Sequence, residues 1–477
     1  MNVLRMPAVM SEPADLPLTD PPPESDDAHG IIPADAGRTS ELMRLAFPLI
    51  VTFVSHVIMS VADTVVMGMV GTDEQGGVGL GASLFWSMSS FASGLLSAVT
   101  TFVAQAYGAR KHEEVRHPVV VGIGLALPLG TLLVVASFWV PELITLLNTN
   151  AGARPHVVTY LRWMLCAAPL FLLNFVLIGY FRGISDTVTP MIVTLAINVV
   201  NIVLNIVFVF GHLGSPEMGV QGVALATVIS MALSVVVFFG LYFSRSHHDR
   251  YATRSPLPFA EIPLRRFLKV GLPIGVTWFL ENMAFNIMSL YVAAFDPAST
   301  AANTIVFQLC HVSFMPAVGI SIAATTLVGK YIGAGRPELA LRSARRSVVL
   351  AVAYMGTLGG VFLLAPAFFI GLFSSDAQVI RLGAMALHVA AFFQVFDAMG
   401  LAVDGVFRGA GITLLPMLVR LGVMWFVFVP MIFILGHYVF ETGIMAGWTA
   451  ALIGLALQGS ILLAAFLFTP WQHRGRV

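Results

Sequence analysis

The chain has 477 residues, of which 57% are hydrophobic and 10% charged, and its formal net charge is zero. Soluble domains carry about 25% charged residues, so composition alone excludes a water-soluble fold and leaves a polytopic membrane protein. The balanced charge says nothing about partners. Cys166 and Cys310, both inside apolar segments, fit neither a zinc spacing nor a disulfide framework.

Residues 1–40 are acidic, proline-rich and poor in aromatics, the profile of a disordered tail. They lack the basic and apolar regions of a secretory signal. A spanning helix needs about 20 largely apolar residues. That criterion predicts spans at 44–68, 77–106, 118–140, 158–181, 188–210 and 219–243, then at 267–292, 301–329, 347–371, 380–406, 414–436 and 443–468. The expected fold is an all-α polytopic membrane protein with twelve transmembrane helices. Lys and Arg concentrate at 110–117, 244–269 and 330–346, and the opposing loops keep only Arg154, Arg162 and Arg381. Positive-inside bias therefore predicts both termini in the cytoplasm.

Three stretches recur at an offset of 225 or 226 residues. LAFPLIVTFVSHVIMSV matches VGLPIGVTWFLENMAFNI, AVTTFVAQAYGARKHEEVR matches AATTLVGKYIGAGRPELAL, and GYFRGISDTVTPMIV matches GVFRGAGITLLPMLV. The repeat predicts two pseudo-symmetric six-helix bundles, 41–243 and 267–469, joined by a cytoplasmic linker at 244–266, with a short tail at 470–477. Halves meeting around a central pathway are a common transporter design.

Ionisable groups inside spans cost about 2.5–3.5 kcal/mol on insertion scales and are functional candidates by default. Glu281 lies about fifteen residues into the seventh span, roughly 22 Å along it. It shares a helical face with Thr277, Trp278, Phe285 and Met288, and no basic side chain lies near it in that helix. The plain alternative is a protonated acid bonded to a neighbouring helix. Asp397 follows Gln394 by one turn and precedes Gly400 by one. Asp404 stands four residues before Arg408, a spacing that favours a structural ion pair.

In the first half, Thr52, His56, Ser60 and Asp63 align on one helical face, and Thr194, Asn198, Asn201 and Asn205 on another. Amides bonding between helices explain the second stripe; a carboxylate facing amide and hydroxyl oxygens is also a cradle for a hard cation. His56 is the repeat equivalent of Glu281, and as a lone intramembrane histidine it fits a packed core residue as well as a proton carrier. Gln308 and His311 are expected to line the second-half cavity, and Arg420 to satisfy carbonyls or a carboxylate. Arg182 and Arg408, in the paired FRG elements, read as turns carrying positive-inside anchors. Abundant Phe and Met suit either an adaptable cavity or lipid contact. P-loop, HExxH and GxSxG motifs are absent, so neither ATP hydrolysis nor an intramembrane enzyme is indicated.

VADTVVMGMVG at 61–71, NIVLNIVFVFGHLGSPEMGVQGVALAT at 201–227, GLPIGVTWFLE, FMPAVGISIAATTLVGKYIGAG and FQVFDAMGLAVDGVFRGAG occur in order along the chain. Together they resemble the multidrug and toxic compound extrusion family, in particular its bacterial NorM-like branch. The resemblance implies two rocking bundles in the bacterial inner membrane. It implies export of organic, often cationic, compounds in exchange for Na+ or H+, with no other cofactor or metal. The implied partners are a small organic substrate and the bilayer, with no nucleic acid and no need for a second copy. By position, it assigns cation binding to Glu281 and Asp397 in the second half, and to Asp63, Asn201, Asn205 and Thr227 in the first. Trp278, Phe285, Met288, Gln308, Phe393 and Gln394, with the two acids, form the expected substrate cavity; His56 and Asp404 are additional candidates. Asn205 and Phe393 stand where relatives carry Asp and Tyr. The competing expectations are a dedicated exporter of one metabolite and a lipid-precursor flippase, the latter disfavoured by the acidic character of the intramembrane charges.

Overall fold

The computed structural model describes residues 32–146, 150–255, 264–440 and 442–474. Residues 1–31 of the expected tail, 256–263 of the linker and 475–477 therefore lie outside the described residues. Residues 32–38, expected within the tail, are folded: Ile32 and Ala36 pack on a core cluster, and Asp35 accepts hydrogen bonds from Ser40 and Arg44.

The first half comprises α1 (Thr39–Gly68), α2 (Thr72–Leu96), α3 (Ala98–Gly108), α4 (Arg116–Ala136), α5 (Val140–Leu146), α6 (Arg154–Cys166), α7 (Ala168–Gly183), α8 (Val188–Phe210) and α9 (Val220–Tyr242). A short helix, α10 (Arg245–Tyr251), follows. The second half comprises α11 (Leu264–Ala293), α12 (Pro297–Gly333), α13 (Pro337–Leu364), α14 (Pro366–Gly371), α15 (Ala377–Gly409), α16 (Leu414–Val423), α17 (Val429–Tyr438) and α18 (Gly443–Phe468), with α19 (Trp471–Arg474) at its end. The described residues form no strand.

Among the described residues, ten helical stretches are long and apolar enough to cross a membrane, and α6 with α7, bent by 52° at Ala167, passes as an eleventh. The remaining predicted span, α11, has the length at 30 residues. Glu281, Asn282 and Asn286 keep it outside the apolar set, so its polar content separates it from the others. The predicted span at 347–371 is corrected as well: α13 ends at Leu364 because Pro366 biases Ala365 away from helical geometry, and α14 starts anew. Met424–Phe428, between α16 and α17, widens into a π-turn immediately before Pro430. Proline there cannot donate to the preceding turn, and a wider turn relieves its clash.

The repeat visible in sequence governs how the halves meet. α1 packs against α12, and α2 against α11, so each half's first helix rests on the other's second. Gly94 abuts Gly275, and its repeat equivalent Gly319 abuts Ile50. A Cβ on Gly108 would overlap the Lys330 carbonyl, and one on Gly333 would overlap the Gln105 carbonyl. Thr101 donates to the Arg408 carbonyl (3.0 Å), and Thr326 to the Arg182 carbonyl (3.2 Å). Each pair swaps into the other under the repeat, which is the mark of a pseudo-twofold axis. The FRG elements thus accept cross-half hydrogen bonds. Their arginine side chains point inward: Arg182 lies over Phe53 and Arg408 over Trp278. The expectation of surface anchors does not hold, because both guanidiniums find partners within the protein.

Buried Glu41 of α1 adds a polar tie. It accepts hydrogen bonds from Tyr331, from Lys330 Nζ (3.3 Å) and from the Gly37 backbone N–H (2.8 Å). Leu42, Leu45, Ala46 and Leu49 accordingly pack in the core of the second half.

Because α2 and α11 approach through glycine, a methyl group at Gly275 meets the Phe91 carbonyl, whereas one at Gly360 meets nothing within 4 Å. Gly275→Ala is expected to cost about 1–3 kcal/mol and to lower the thermal midpoint in detergent, while Gly360→Ala does not lower it. At α10, burial holds His247 below the ordinary 6.5 of imidazole, Asp186 opposes this, and Arg250 adds to it. Its Nδ1 lies 2.8 Å from the Tyr180 hydroxyl. The folded state therefore favours neutral imidazole, and this contribution, complete above pH 6.5, is lost as pH falls toward the lower folded value. Amide exchange across 245–251, corrected for intrinsic rates, is expected to be faster at about pH 5 than at about pH 8. His247→Phe should remove that difference.

Candidate cation and substrate sites

The first-half site is built where α1, α8 and α9 meet. Asparagines spaced by three and four residues place Asn198, Asn201 and Asn205 on one buried stripe of α8. Asn205 donates through Nδ2 to Asp63 Oδ1 (2.5 Å) and to Asn201 Oδ1 (3.1 Å), and Asn201 donates to Thr227 Oγ1 (3.5 Å). One turn away, Asn198 donates to Ser55 (2.5 Å). All four residues assigned to this site by the resemblance are thus joined in a single hydrogen-bonded chain. Asn205 Oδ1 is buried without a protein partner, so the chain ends in an acceptor facing no donor. A lone carboxylate among amide and hydroxyl oxygens has the donor chemistry of a hard monovalent cation or proton site. The polar face expected on α1 is divided: Thr52 and Asp63 are buried, while His56 and Ser60 are exposed. Thr52 bonds back to the Pro48 carbonyl, as its repeat equivalent Thr277 does to Pro273.

The second-half site lies among α11, α15 and α16. Glu281 Oε2 receives Arg420 Nη1 at 3.1 Å, and Arg420 also lies 4.0 Å from Asp404. Asp404 pairs with Arg408 at 2.6 Å in the expected i,i+4 geometry. Asp397 is within electrostatic reach of both Arg420 and Glu281 and forms no ion pair within 4.0 Å among the described residues. Glu281 Oε1 is buried and has no hydrogen-bond partner. A small cavity of about 10 Å³ adjoins the cluster, lined by Thr277, Trp278, Asp404 and Arg408 among others. One carboxylate oxygen is therefore held by an arginine, while the other is buried and uncommitted.

The remaining expected cavity residues divide into three groups. Trp278 lies under Arg408 and meets Phe175 of the first half edge-on. Gln308 and His311 are exposed on one face of α12. Met288 and Phe393, in contrast, belong to the packed interior: Met288 is fully buried against Gly447, and Phe393 stacks on Trp448. Gln394 is also fully buried, donating to Ser313 at 2.7 Å. Phe285 packs between Phe307 and Phe428. α18 covers Met288 and Phe393, while α12 meets Gln394 and Phe285, neighbours that helical periodicity alone does not reveal. Arg420 as the partner of Glu281 was only half legible. An arginine inside a span demands an acceptor, but its identity depends on how α16 packs against α11. Ser87, which donates to Asn282 at 3.0 Å across the halves, was not singled out; the polar α2–α11 face was the available signal.

Fold and sites together define a polytopic helical membrane protein whose two halves are related by an internal repeat. One family model, MatE, matches the chain twice, over residues 48–207 and 273–434, and the two matches begin 225 residues apart. The chain belongs to the MatE family. A probable multidrug resistance protein NorM of Thermotoga maritima is 29% identical over 435 residues, covering 91% of this chain and 93% of its own length. A protein of the same description from Mesorhizobium japonicum is 31% identical over 446 residues, with coverage of 91% and 94%. The crystal structure of the eukaryotic MATE transporter AtDTX14 superposes with a TM-score of 0.82 at 22% identity, covering 92% of this chain and 97% of its own.

Asn205→Leu removes the one side-chain donor to Asp63 among the described residues. It is expected to cost about 1–3 kcal/mol, read as a lower thermal midpoint. Replacing both residues by Leu should cost less than the sum of the single changes.

Proposed function

We propose that the chain is a cation-coupled antiporter that exports organic, often cationic, drugs and toxic compounds by alternating access, driven by Na+ or H+. The observation that carries this reading is Glu281: a carboxylate deep in a span, with one oxygen on Arg420 and the other buried and open. The description of the curated relatives as multidrug resistance proteins supports the same class of substrate.

The mechanism follows from the cost of charge in a low-dielectric interior. An uncommitted carboxylate oxygen binds a proton, a sodium ion or an organic cation, and these occupants exclude one another. When the site faces outward it takes the coupling ion, which displaces a bound cationic substrate. When it faces the cytoplasm the ion leaves and substrate binds again. Coupling arises because each occupant stabilises the two conformations differently. Asp397 supports this by adding negative potential without an ion pair of its own. Asp63, with Asn201, Asn205 and Thr227, is proposed as a second cation site, whose occupancy biases the first half.

Two bundles, 41–243 and 267–469, joined through 244–266, are proposed as the rocking bodies. Their cross-half contacts crowd toward residues 101–108, 326–333 and 408–409, together with Glu41. That end carries the basic stretches at 110–117 and 330–346. Under the positive-inside rule this conformation is closed toward the cytoplasm. The proposal puts both termini on that side, in the inner membrane, with one chain sufficient for the pathway.

Reconstituted vesicles provide the test. With a fluorescent cationic dye and separately imposed Na+ and H+ gradients, the wild type is expected to move dye against one gradient only. Glu281→Gln, folded as judged by its thermal transition, should lose at least about tenfold of that rate, equivalent to about 1.4 kcal/mol. Equal rates in wild type and variant would remove Glu281 from the exchange. Absence of dye movement in the wild type under both gradients would refute the antiporter reading.

A further inference from the structure

The second-half cluster has a countable charge. Glu281, Asp397 and Asp404 bring three carboxylates, while Arg408 and Arg420 bring two guanidiniums. The two arginines differ in role. Arg408 comes from the same helix as Asp404, four residues on, and satisfies it locally at 2.6 Å. Arg420 comes from α16, is buried, and reaches across to Glu281 on α11 at 3.1 Å while staying 4.0 Å from Asp404. Its Nε has no partner and neither does Glu281 Oε1, so the pair is joined through one nitrogen and one oxygen rather than a closed two-point clamp. A bidentate arginine would have consumed both carboxylate oxygens. This geometry consumes one.

We infer that Arg420 is a built-in counter-cation that sets the charge specificity of this cluster, limiting it to one monovalent cation at a time. With every group ionised, the cluster keeps one unit of negative charge. A monovalent organic cation neutralises it. A divalent one leaves a net positive charge in a site screened little by solvent. Arg420 acts here through Glu281, as a residue that determines which ligand charge is accepted. Its biological meaning rests on the antiport reading above, although its test does not require transport.

The test measures binding to the purified full-length chain in detergent, by titration calorimetry. The probes are tetraphenylphosphonium, which is monovalent, and methyl viologen, which is divalent. Wild type is expected to bind tetraphenylphosphonium at least about tenfold more tightly than methyl viologen. Arg420→Gln, with two uncompensated negative charges, should move that ratio at least about tenfold toward methyl viologen, a factor typical of one site coupling. Arg420→Lys, which keeps the charge, should retain the wild-type order.

A purely structural arginine would lower affinity for both probes together and leave their ratio unchanged, which would overturn the inference. Binding of neither probe by the wild type would overturn it too. Should Arg420→Gln fail to fold, the double variant Glu281→Gln with Arg420→Gln restores the wild-type net charge. It is predicted to keep the monovalent preference, and a divalent preference there would refute the counter-cation role. The two readings fail separately: a chain with the predicted charge order that moves no dye loses only the antiport reading. One that moves dye with an Arg420-independent order loses only this inference.

Discussion

A charged group inside hydrocarbon must find its partner within the protein, and much of this molecule is arranged around that constraint. Glu281 lies far along α11, and Arg420 on α16 supplies the compensating charge. That pairing requires α16 to lie against α11, while α15, packed on α12, α13 and α18, brings Asp404 and Arg408 to the same place. Removing one partner from a buried pair typically costs about 3–5 kcal/mol. Local helix order and charge placement therefore stand or fall together.

The contact between halves obeys a different economy. In lipid, helices gain nothing from hiding apolar surface, so close packing and hydrogen bonds must hold them. Here the crossings use glycine against backbone, and threonine hydroxyls against carbonyls, repeated about the pseudo-twofold axis. Each such hydrogen bond is worth about 0.6 kcal/mol on average in membranes. An interface made of many small, duplicated contacts separates without exposing a charge, except at Glu41, Lys330 and Tyr331. On the proposed function that tie is the costly element of opening, and it lies at the end where the contacts crowd.

Much of this was written in the sequence, in specific ways. The repeat offset predicted two related halves, and the glycines and threonines that exchange places are repeat equivalents, since identical helical registers bring identical residues to a twofold axis. The stripe of asparagines on α8 read correctly because a period of 3.6 fixes a helical face without reference to neighbours. What periodicity cannot supply is which helix covers that face. Met288 looked like a cavity residue by spacing and Phe393 by resemblance, yet α18 lies over them. Arg182 and Arg408 looked like headgroup anchors, yet they turn inward onto Phe53 and Trp278. Arg420 was legible as a group needing an acceptor, but not as the partner of Glu281.

The two halves share a backbone and differ in chemistry, and that difference is itself informative. Glu281 is matched by His56 in the repeat, and Asp63 is matched by Met288. The contacts that swap under the repeat involve glycines, threonines and carbonyls, together with Arg182 over Phe53 and Arg408 over Trp278, whereas the buried carboxylates do not swap at all. A symmetric frame with asymmetric sites follows if the frame must support two related conformations while the sites bind different occupants. One carboxylate held by an asparagine amide makes a small, rigid, oxygen-lined position suited to an ion without apolar bulk. Three carboxylates and two arginines beside an indole ring make a position where charge and aromatic surface meet, which suits an organic cation. On the proposed function, selection would hold the shared geometry fixed and leave each half free to specialise. Such divergence would accumulate at positions facing each half's own interior and spare those on the axis between them.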